Sequence, residues 1–226
     1  DDGAGTTLLD STEWNQDGRL LGYGDGAQGW LEEGAGAVAG ALSFDPASMQ
    51  YVDLGRRVHG LVSLDAGTLA VWLRSSGNGE RPIFQFTSPR SGDVMRWILR
   101  DGFLHFENGR IGVNESTAVR WPVPLNDNQW HHAALTCDRS GVATLYLDGE
   151  LVSYGRVPFL SAVGAGGQLQ IGSATGSIGA PVYFSGALDD LRIYPEVLDS
   201  HEVARLSTPP TGATPAPRIV LPAASI

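Results

Sequence analysis

The sequence predicts an all-β protein: a sandwich of two antiparallel sheets in a jelly-roll arrangement, with one short helix near the C terminus. Short runs rich in β-branched and aromatic residues recur along the chain, turn residues separate them, and no helical pattern of roughly 10–15 residues lies between them. The 226 residues include 30 glycines and 13 prolines, as a turn-rich chain requires. A chain of this length can bury a core as a single domain.

The strand candidates follow a Gly- and Asp-rich opening stretch over residues 1–36. They lie at residues 41–44, 51–54, 68–73, 82–86, 95–100, 103–106, 143–147, 150–154, 168–172 and 187–194. Asp101-Gly102 and Asp148-Gly149 each separate two consecutive candidates, and this dipeptide tolerates the positive φ angles of a tight turn. The sequence therefore predicts two β-hairpins at these positions.

A helix is predicted over residues 199–206, where Asp199 or Ser200 is a suitable N-cap and Val203 and Leu206 share one face. After it the composition changes, and five prolines stand among Ala and Thr at positions 209, 210, 215, 217 and 222. This pattern is typical of a semi-extended linker. We therefore expect one domain over residues 1–206 and a tail over 207–226 that tethers it to other domains.

The formal net charge of −10 argues against nucleic acid and anionic membranes as partners, because phosphate binding needs clustered basic residues. No run of about 18 apolar residues occurs, so no membrane span is predicted. The excess of carboxylates is compatible with a bound calcium ion or with a solvated acidic surface. Cys137 is the one cysteine, which excludes an intramolecular disulfide and predicts a small buried apolar side chain.

Several blocks of sequence resemble the laminin-G-like jelly-roll family of the concanavalin-A-like superfamily. A T-x-x-x-W strand pattern is formed by Thr68 and Trp72, a W-H-H strand begins at Trp130, and a closing G-x-L-D-D-x-R-I-Y strand begins at Gly186. The matching blocks are residues 67–73, 128–136 with 145–149, and 184–194, with a weaker match over 3–11, 41–44 and 51–52. The resemblance covers residues 3–206 and implies a sandwich whose relatives bind sugars, proteins, both, or no known ligand.

The sequence predicts a protein without catalytic activity. The superfamily includes glycoside hydrolases with a Glu-x-Asp-x-x-Glu strand, and no such string occurs here. His131 and His132 are neighbours in a predicted strand, so their side chains point to opposite faces and cannot share one metal. We expect one of them to pack in the core beside Trp130, and we expect Trp72, Trp130 and Ile193 to meet between the two sheets.

The resemblance also implies a structural calcium ion, held by the early loop and by the aspartate of the last strand. The corresponding residues here are Asp10, Asn15, Asp17 and Asp189, although residues 14–18 replace the Gly-Asn-Gly-Asn run of the family. Alternation puts Asp189 on the side of Leu191 and Ile193, the predicted core side, where a carboxylate needs a cation, an arginine or backbone amides. The alternative is that Asp10 and Asp189 only cap turns or amides.

Sugar binding requires an aromatic face for stacking and planar polar groups for hydroxyls. The aromatic residues in Gly- or Pro-rich segments are the candidates: Trp14, Tyr23, Trp30 and Trp121, with Tyr183 as a similar case. The alternative is that these rings close the ends of the sandwich, because large aromatic side chains are usually buried.

The favoured function is a carbohydrate-binding, lectin-like module of a larger secreted or cell-surface protein, with a glycan as its partner. A protein–protein adhesion or sensor ectodomain of the same fold, with an extracellular protein as its partner, is the alternative. A glycoside hydrolase, or an accessory domain of one, is the third possibility. Fold alone does not separate these functions.

Overall fold

The computed structural model describes residues 5–11, 16–24, 29–31, 35–38, 40–55, 66–88, 92–110, 117–157, 167–208 and 219–220. Within them the chain is built from strands and one α-helix, as predicted. In chain order these are β1 (Thr7–Leu8), β2 (Gly18–Leu21), β3 (Trp30–Leu31), β4 (Ala41–Phe44), β5 (Tyr51–Gly55), β6 (Gly67–Ser75), β7 (Glu80–Thr87), β8 (Asp93–Arg100), β9 (Phe103–Arg110), β10 (Thr117–Pro124), β11 (His131–Cys137), β12 (Val142–Leu147), β13 (Glu150–Arg156), β14 (Gln168–Ile171), β15 (Ser173–Thr175), β16 (Pro181–Tyr183), β17 (Gly186–Tyr194), α1 (Ser200–Leu206) and β18 (Ile219–Val220).

Two large antiparallel sheets form the predicted sandwich. The front sheet has the strand order β1-β2-β5-β14-β7-β8-β9-β10, and the back sheet has the order β13-β12-β11-β6-β17-β4-β3. The short strand β18 adds to the back sheet by pairing in parallel with β17. Strands β15 and β16 form a separate two-stranded hairpin.

The core lies between the sheets and follows the period-2 alternation of the sequence. Leu69, Val71 and Leu73 of β6 point inward from the back sheet, and Phe84 and Phe86 of β7 point inward from the front sheet. All five are fully buried. Burying an apolar side chain of this size contributes about 1.5–3 kcal/mol, so the alternation supplies much of the stability.

Both predicted hairpins are present. Asp101 and Gly102 have φ angles of 50° and 84°, and Asp148 and Gly149 have φ angles of 50° and 87°. They connect β8 to β9 and β12 to β13. The strands predicted from the sequence do not include β10, which contains Pro122 and ends at a second proline. The sheet tolerates them because β10 is an edge strand, where a missing N–H donor breaks no ladder.

A β-bulge in β17 reverses the predicted orientation of Asp189. Asp189 pairs with Trp72 and Arg192 pairs with Ala70, so two residues of β17 oppose the one residue between them on β6. Asp190 takes a φ angle of 47° in this bulge. Directly opposite residues share a face, so Asp189 lies with Trp72 on the outer face and not on the core side. Simple alternation fails here because it assumes an unbroken strand.

The expected meeting of Trp72, Trp130 and Ile193 between the sheets is wrong for the two tryptophans. Ile193 is in the core. Trp72 lies on the outer face of the back sheet, since its neighbours in β6 point inward, and its ring packs edge-on against His132 at 5.3 Å. Trp130 precedes β11 and is half-buried, with the Arg74 guanidinium 5.0 Å from its ring centre.

Helix α1 covers part of the outer face of the back sheet. Asp199 is its N-cap and forms a capping box with Glu202, as the sequence pattern indicates. The buried Val203 packs on a small apolar cluster of Ala70, Ala134 and Tyr146. No helix in the described ranges is long and apolar enough to cross a bilayer. Of the predicted tail, residues 207–208 and 219–220 are described, and the latter two form β18.

Candidate functional site

A row of planar polar side chains crosses the outer face of the front sheet. Consecutive strands place Arg19 opposite Asp53, Asp53 opposite Gln170, Gln170 opposite Gln85, Gln85 opposite Arg96, and Arg96 opposite Glu107. Directly opposite residues share a face, and their neighbours along the strands point into the core. We call these six residues the polar row.

Ion pairs hold one end of the polar row rigid. Arg96 Nε donates to Glu107 Oε2 at 2.8 Å, and the Arg100 guanidinium donates to both oxygens of the same carboxylate. Arg100 Nε also donates to Glu80 Oε1 at 2.9 Å. Burial acts to raise the pKa of Glu107, but its contacts with Arg100 and Arg96 outweigh burial and hold that pKa below its ordinary value. Glu107 is therefore a fixed acceptor for two arginines.

The β15–β16 hairpin stands on this face as a wall. Gln85 Oε1 accepts a hydrogen bond from the Thr175 N–H at 3.0 Å, and Arg96 Nη1 donates to the Thr175 carbonyl at 2.6 Å. Glu80 Oε2 accepts from the Ser177 N–H at 2.9 Å. Side chains of the front sheet thus bind the backbone of the hairpin. Ile178, at the tip of the hairpin, is 88% exposed.

Two tyrosines stand beside the polar row. Tyr183 of the hairpin and Tyr51 of β5 have ring centres 6.2 Å apart at an interplanar angle of 44°, and both are half-buried. Burial and the neighbouring carboxylate of Asp53 raise the pKa of Tyr51, so its hydroxyl stays protonated at neutral pH. We call Tyr51 and Tyr183 the tyrosine pair, and together with the polar row they form the front-face site.

Two of the aromatic residues proposed for sugar binding are buried in the core. Trp121 is fully buried and its Nε1 donates to the Tyr146 carbonyl at 2.9 Å. Tyr23 is also buried, burial raises its pKa, and its hydroxyl donates to the Ser43 carbonyl at 2.8 Å. Neither ring has a face open to a ligand. Both therefore follow the alternative given above, in which these aromatic rings are buried as part of the sandwich. The reason is non-local: Trp121 packs against Trp97 of β8, and Tyr23 packs against Phe44 of β4.

Trp30 and Trp14 have different outcomes. Trp30 is half-buried on β3, packs against the edge of the core, and its Nε1 donates to the Gly5 carbonyl at 3.2 Å. One part of its ring therefore remains accessible. Trp14 lies outside the described residues, so its role in sugar binding stays a prediction.

The aspartates proposed for calcium bind backbone amides. Asp10 accepts from the Gln16 N–H at 3.0 Å, and the Asp10 N–H donates to Asp17 at 2.9 Å. Asp189 accepts from the Val38 N–H at 2.9 Å. Burial raises the pKa of Asp189 to about 6.

These contacts match the alternative of amide capping, and they do not test the calcium prediction. Asn15 and the rest of residues 12–15 lie outside the described residues. In the ranges that are described, no cluster of three or more His, Cys, Asp or Glu side chains is arranged to hold a metal. The calcium site at Asp10, Asn15, Asp17 and Asp189 therefore stays a prediction.

The histidine pair points to opposite faces of β11, as predicted, but the buried histidine packs against Trp72 on the outer face and not in the core beside Trp130. His132 pairs with Trp72 on the outer face and is buried, and burial lowers its pKa to about 4. His131 instead contacts Asp148 at 2.9 Å and Asp127 at 3.3 Å. Burial alone would lower the pKa of His131, but the two carboxylates outweigh it and raise that pKa.

The buried Cys137 is as predicted. Its Sγ lies 3.4 Å from the Val157 carbonyl, and burial raises its pKa to about 11. A thiol with that pKa is protonated at neutral pH and is a poor nucleophile.

Comparison with known proteins agrees with this architecture. The laminin G model of the concanavalin A-like lectin/glucanases superfamily matches residues 46–204. Rat and mouse "Sushi, von Willebrand factor type A, EGF and pentraxin domain-containing protein 1" are each 28% identical over 156 residues, which is 66% of this chain. The chain spans only 4% of the length of those relatives.

Solved structures share the fold at low identity. Domain 4 of AbnA, a GH43 extracellular arabinanase from Geobacillus stearothermophilus in complex with arabinotriose, has a TM-score of 0.61 and 19% identity, covering 90% of this chain and 87% of that one. The CBM40 of the Ruminococcus gnavus IT-sialidase, bound to α2,3-sialyllactose, has a TM-score of 0.53 and 16% identity, covering 65% and 84%. A heptameric SAP-like pentraxin from Limulus polyphemus has a TM-score of 0.52 and 19% identity, covering 70% and 75%.

Proposed function

Because the chain belongs to the laminin-G-like family of the concanavalin A-like lectin/glucanase superfamily, we propose that it is a non-catalytic carbohydrate-binding module that holds a glycan at the front-face site. The observation that carries the proposal is the tyrosine pair beside the polar row. Aromatic rings stack on the C–H faces of sugars, and planar amide, carboxylate and guanidinium groups bind hydroxyls. These two elements are what a sugar site needs.

The spacing of the site suits an oligosaccharide better than a single sugar. Neighbouring strands lie about 4.8 Å apart, so the six side chains in register extend over roughly 24 Å, of which the stretch from Arg19 to Gln170 takes roughly 10 Å. The hairpin wall crosses this row at Gln85 and Arg96. The open part for a ligand is therefore the half with Arg19, Asp53 and the tyrosine pair.

The ion pairs support a binding role without catalysis. A glycosidase acid needs a carboxyl group whose pKa is raised, and it needs a second carboxylate that is free to act as base or nucleophile. Burial acts to raise the pKa values of Glu80 and Glu107, but the Ser177 N–H and Arg100 outweigh it at Glu80, and Arg100 and Arg96 outweigh it at Glu107, so both pKa values lie below their ordinary values. The carboxylates of Glu80 and Glu107 are thereby assigned to holding arginines and the hairpin, while the Asp53 carboxylate of the polar row accepts a hydrogen bond from the Gly55 N–H at 2.8 Å.

Relatives guide the choice of ligands and the setting. The AbnA domain and the CBM40 were solved with arabinotriose and sialyllactose. We propose that this module likewise serves a larger secreted or cell-surface protein, reached through its C-terminal tail. Arabino-oligosaccharides and sialylated oligosaccharides are therefore the first ligands to test.

Protein–protein adhesion is the second candidate. The edge strand β13 exposes Leu151 and Tyr154, at 58% and 79% of their surfaces. Exposed apolar side chains on an edge strand can serve a protein interface. A module that binds a protein through β13 and no sugar would fit this candidate.

A glycan array, followed by titration calorimetry on the best ligand, tests the first proposal. Tyr51→Ala and Tyr183→Ala are each expected to weaken binding roughly three- to tenfold, because each removes a stacking ring. Tyr154→Ala is the matched control, since it removes an exposed tyrosine of the back sheet, and it should bind like wild type. Wild-type protein that binds no glycan with or without calcium, or a control that loses as much affinity, contradicts the proposal.

A further inference from the structure

A cleft of about 360 Å³ lies on the outer face of the back sheet, between β17 and α1. It is on the opposite side of the sandwich from the front-face site. Small-molecule sites usually occupy about 300–1,000 Å³, so this cleft suits a small ligand. Its lining residues are Val38, Asp190, Arg192, Tyr194, Leu198, Glu202, Arg205, Leu206 and Thr208.

The floor of the cleft presents an oriented guanidinium. Arg192 Nε donates to both carboxylate oxygens of Asp190 at 2.8 Å, and its Nη1 donates to the Tyr194 hydroxyl at 3.1 Å. These bonds fix the plane of the group on two sides. Among the described residues none accepts a hydrogen bond from Nη2, so that edge of the fork is open to a ligand in the cleft.

The walls of the cleft add an apolar surface and a second positive charge. Leu198 and Leu206 pack on the cluster beneath α1 and present aliphatic carbon to the cleft. Arg205 stands at the rim with its side chain 72% exposed, and its Nη2 lies 3.9 Å from Glu202 Oε1 in a long ion pair. Glu202 is already used, because one of its oxygens accepts the Asp199 N–H in the capping box.

We propose that this cleft binds a carboxylate carried on a small aliphatic body. The carboxylate lies against the Nη2 edge of Arg192, with Arg205 closing over it, and the aliphatic part lies against Leu198 and Leu206. Arginine donors match the planar carboxylate and hold it by charge-assisted hydrogen bonds.

The other ligand charges fit less well. A cation has little to bind, because both oxygens of Asp190 are occupied by Arg192. A dianion such as phosphate meets Asp190 and Glu202 in the same lining and a chain of net charge −10. A monoanion with an apolar body can bind both the Arg192 guanidinium and the side chains of Leu198 and Leu206.

Titration of the full chain with N-acetyl-leucine and with N-acetyl-leucinamide, followed by side-chain NMR of the arginine N–H groups, tests the proposal. The amide keeps the isobutyl group and removes the charge. We expect the acid to bind at least tenfold more tightly than the amide and to shift the Arg192 resonances. Equal affinity, or no binding of the acid at concentrations up to about 50 mM, would overturn the proposal.

A pair of conservative variants separates this site from general charge effects. Arg192→Lys keeps the charge and loses the planar fork, so we expect at least fivefold weaker binding of the acid. Arg156→Lys, an exposed position on the edge strand β13, is the matched control and should bind like wild type. Melting temperatures confirm that both variants fold. If Arg192→Lys is unstable, Tyr194→Phe gives a second test, because it frees Arg192 Nη1 from its hydrogen-bond partner. Unchanged affinity in a folded Arg192→Lys protein contradicts the proposal.

Two sources of this carboxylate are distinguished by the same titration. 4-Methylpentanoate represents a free organic acid, and a tripeptide that ends in leucine represents a peptide C terminus. A tripeptide that binds at least tenfold more tightly than 4-methylpentanoate assigns the cleft to a peptide terminus. Equal affinities assign it to a small acid, and both results support carboxylate recognition.

Discussion

The outer faces of the two sheets carry polar side chains in register, but the rest of the chain treats the two rows differently. On the front sheet the hairpin crosses the polar row at Gln85 and Arg96, and Gln85 and Glu107 are buried, while the half with Arg19, Asp53 and Gln170 is exposed or half-buried. On the back sheet the corresponding row is His132, Trp72 and Asp189, and all three are buried. The same alternation therefore produced a front row that is open over half of its length and a back row that is covered.

The polar groups of the covered row have fewer hydrogen-bond and ion-pair partners than those of the polar row. Among the described residues, Trp72 Nε1 and His132 Nδ1 have no hydrogen-bond partner. Burial raises the pKa of Asp189 and lowers that of His132, so each is pushed towards its neutral form. In the polar row, contacts with arginine stabilise the charged form of Glu107. Pairing thus lets charges persist on one face, while burial without sufficient pairing suppresses them on the other.

The largest effect is expected from breaking the front network. Glu107→Ala leaves Arg96 and Arg100 without their shared acceptor, so we expect the free energy of unfolding to fall by about 3 kcal/mol. Chemical denaturation measures this change, and Glu150→Ala, an exposed glutamate of β13, is the control with an expected change within about 0.5 kcal/mol. A loss as small as that of the control would mean that the front network behaves as an ordinary exposed surface.

The burial of Asp189 in the covered row predicts that its contribution to stability falls as the pH rises. Burial raises the pKa of this carboxyl from its ordinary value of 3.8 to about 6 in the folded chain, so between these pH values the folded state holds more protons than the unfolded state. The contribution of Asp189 to the free energy of unfolding in chelator should therefore be fully present below about pH 4 and fall by about 3 kcal/mol as the pH rises through about 6. Asp189→Asn should lack this fall, as measured by denaturation at a series of pH values.

The same variant tests the calcium prediction. If calcium binds Asp189, adding it should raise the melting temperature of the wild type and not that of Asp189→Asn or Asp189→Ala. Wild type and variants that melt alike with calcium and with chelator would remove Asp189 from the metal site.

The smallest effect is expected at His131, the half-buried neighbour of the buried His132. Its pKa is raised above 6.5 in the folded chain by Asp148 and Asp127, against the effect of burial. The stabilisation is therefore fully present below pH 6.5 and is lost as the pH rises through the folded pKa. Because both aspartates are about half exposed, we expect only about 0.5 kcal/mol.

Melting curves between about pH 5 and pH 9 measure that loss. His131→Asn should flatten the pH profile in this range, and His201→Asn, on the exposed side of α1, should leave it unchanged. A profile that stays the same in His131→Asn would assign the pH dependence to another group.

Local signals in the sequence account for most of the elements. Strand β4 was predicted with its observed bounds, the Asp148-Gly149 turn lies where expected, and Asp199 caps α1 as proposed. Each depends on residues close together in the chain. Of the tyrosine pair, the sequence singles out Tyr183 as a candidate for sugar binding. It places Tyr51 in a strand and gives no reason to assign that residue to a site.

The polar row shows what the sequence could not reveal. Gln85, Arg96 and Glu107 alternate with apolar residues in three consecutive strands, so their outward orientation is predictable. Their alignment with Arg19, Asp53 and Gln170 depends on β14, which inserts between β5 and β7 from far along the chain. No local pattern specifies that order.

By itself the sequence determined the β-sandwich, its hairpins, its capped helix and its family, because alternation, turn chemistry and capping act over a few residues. Only the tertiary structure decided which outer face stays open, that Trp121 and Tyr23 are core residues, and that Asp189 turns outward at a bulge. These outcomes depend on strand order and on what packs over each face. Both are set by contacts between segments that are distant in the sequence.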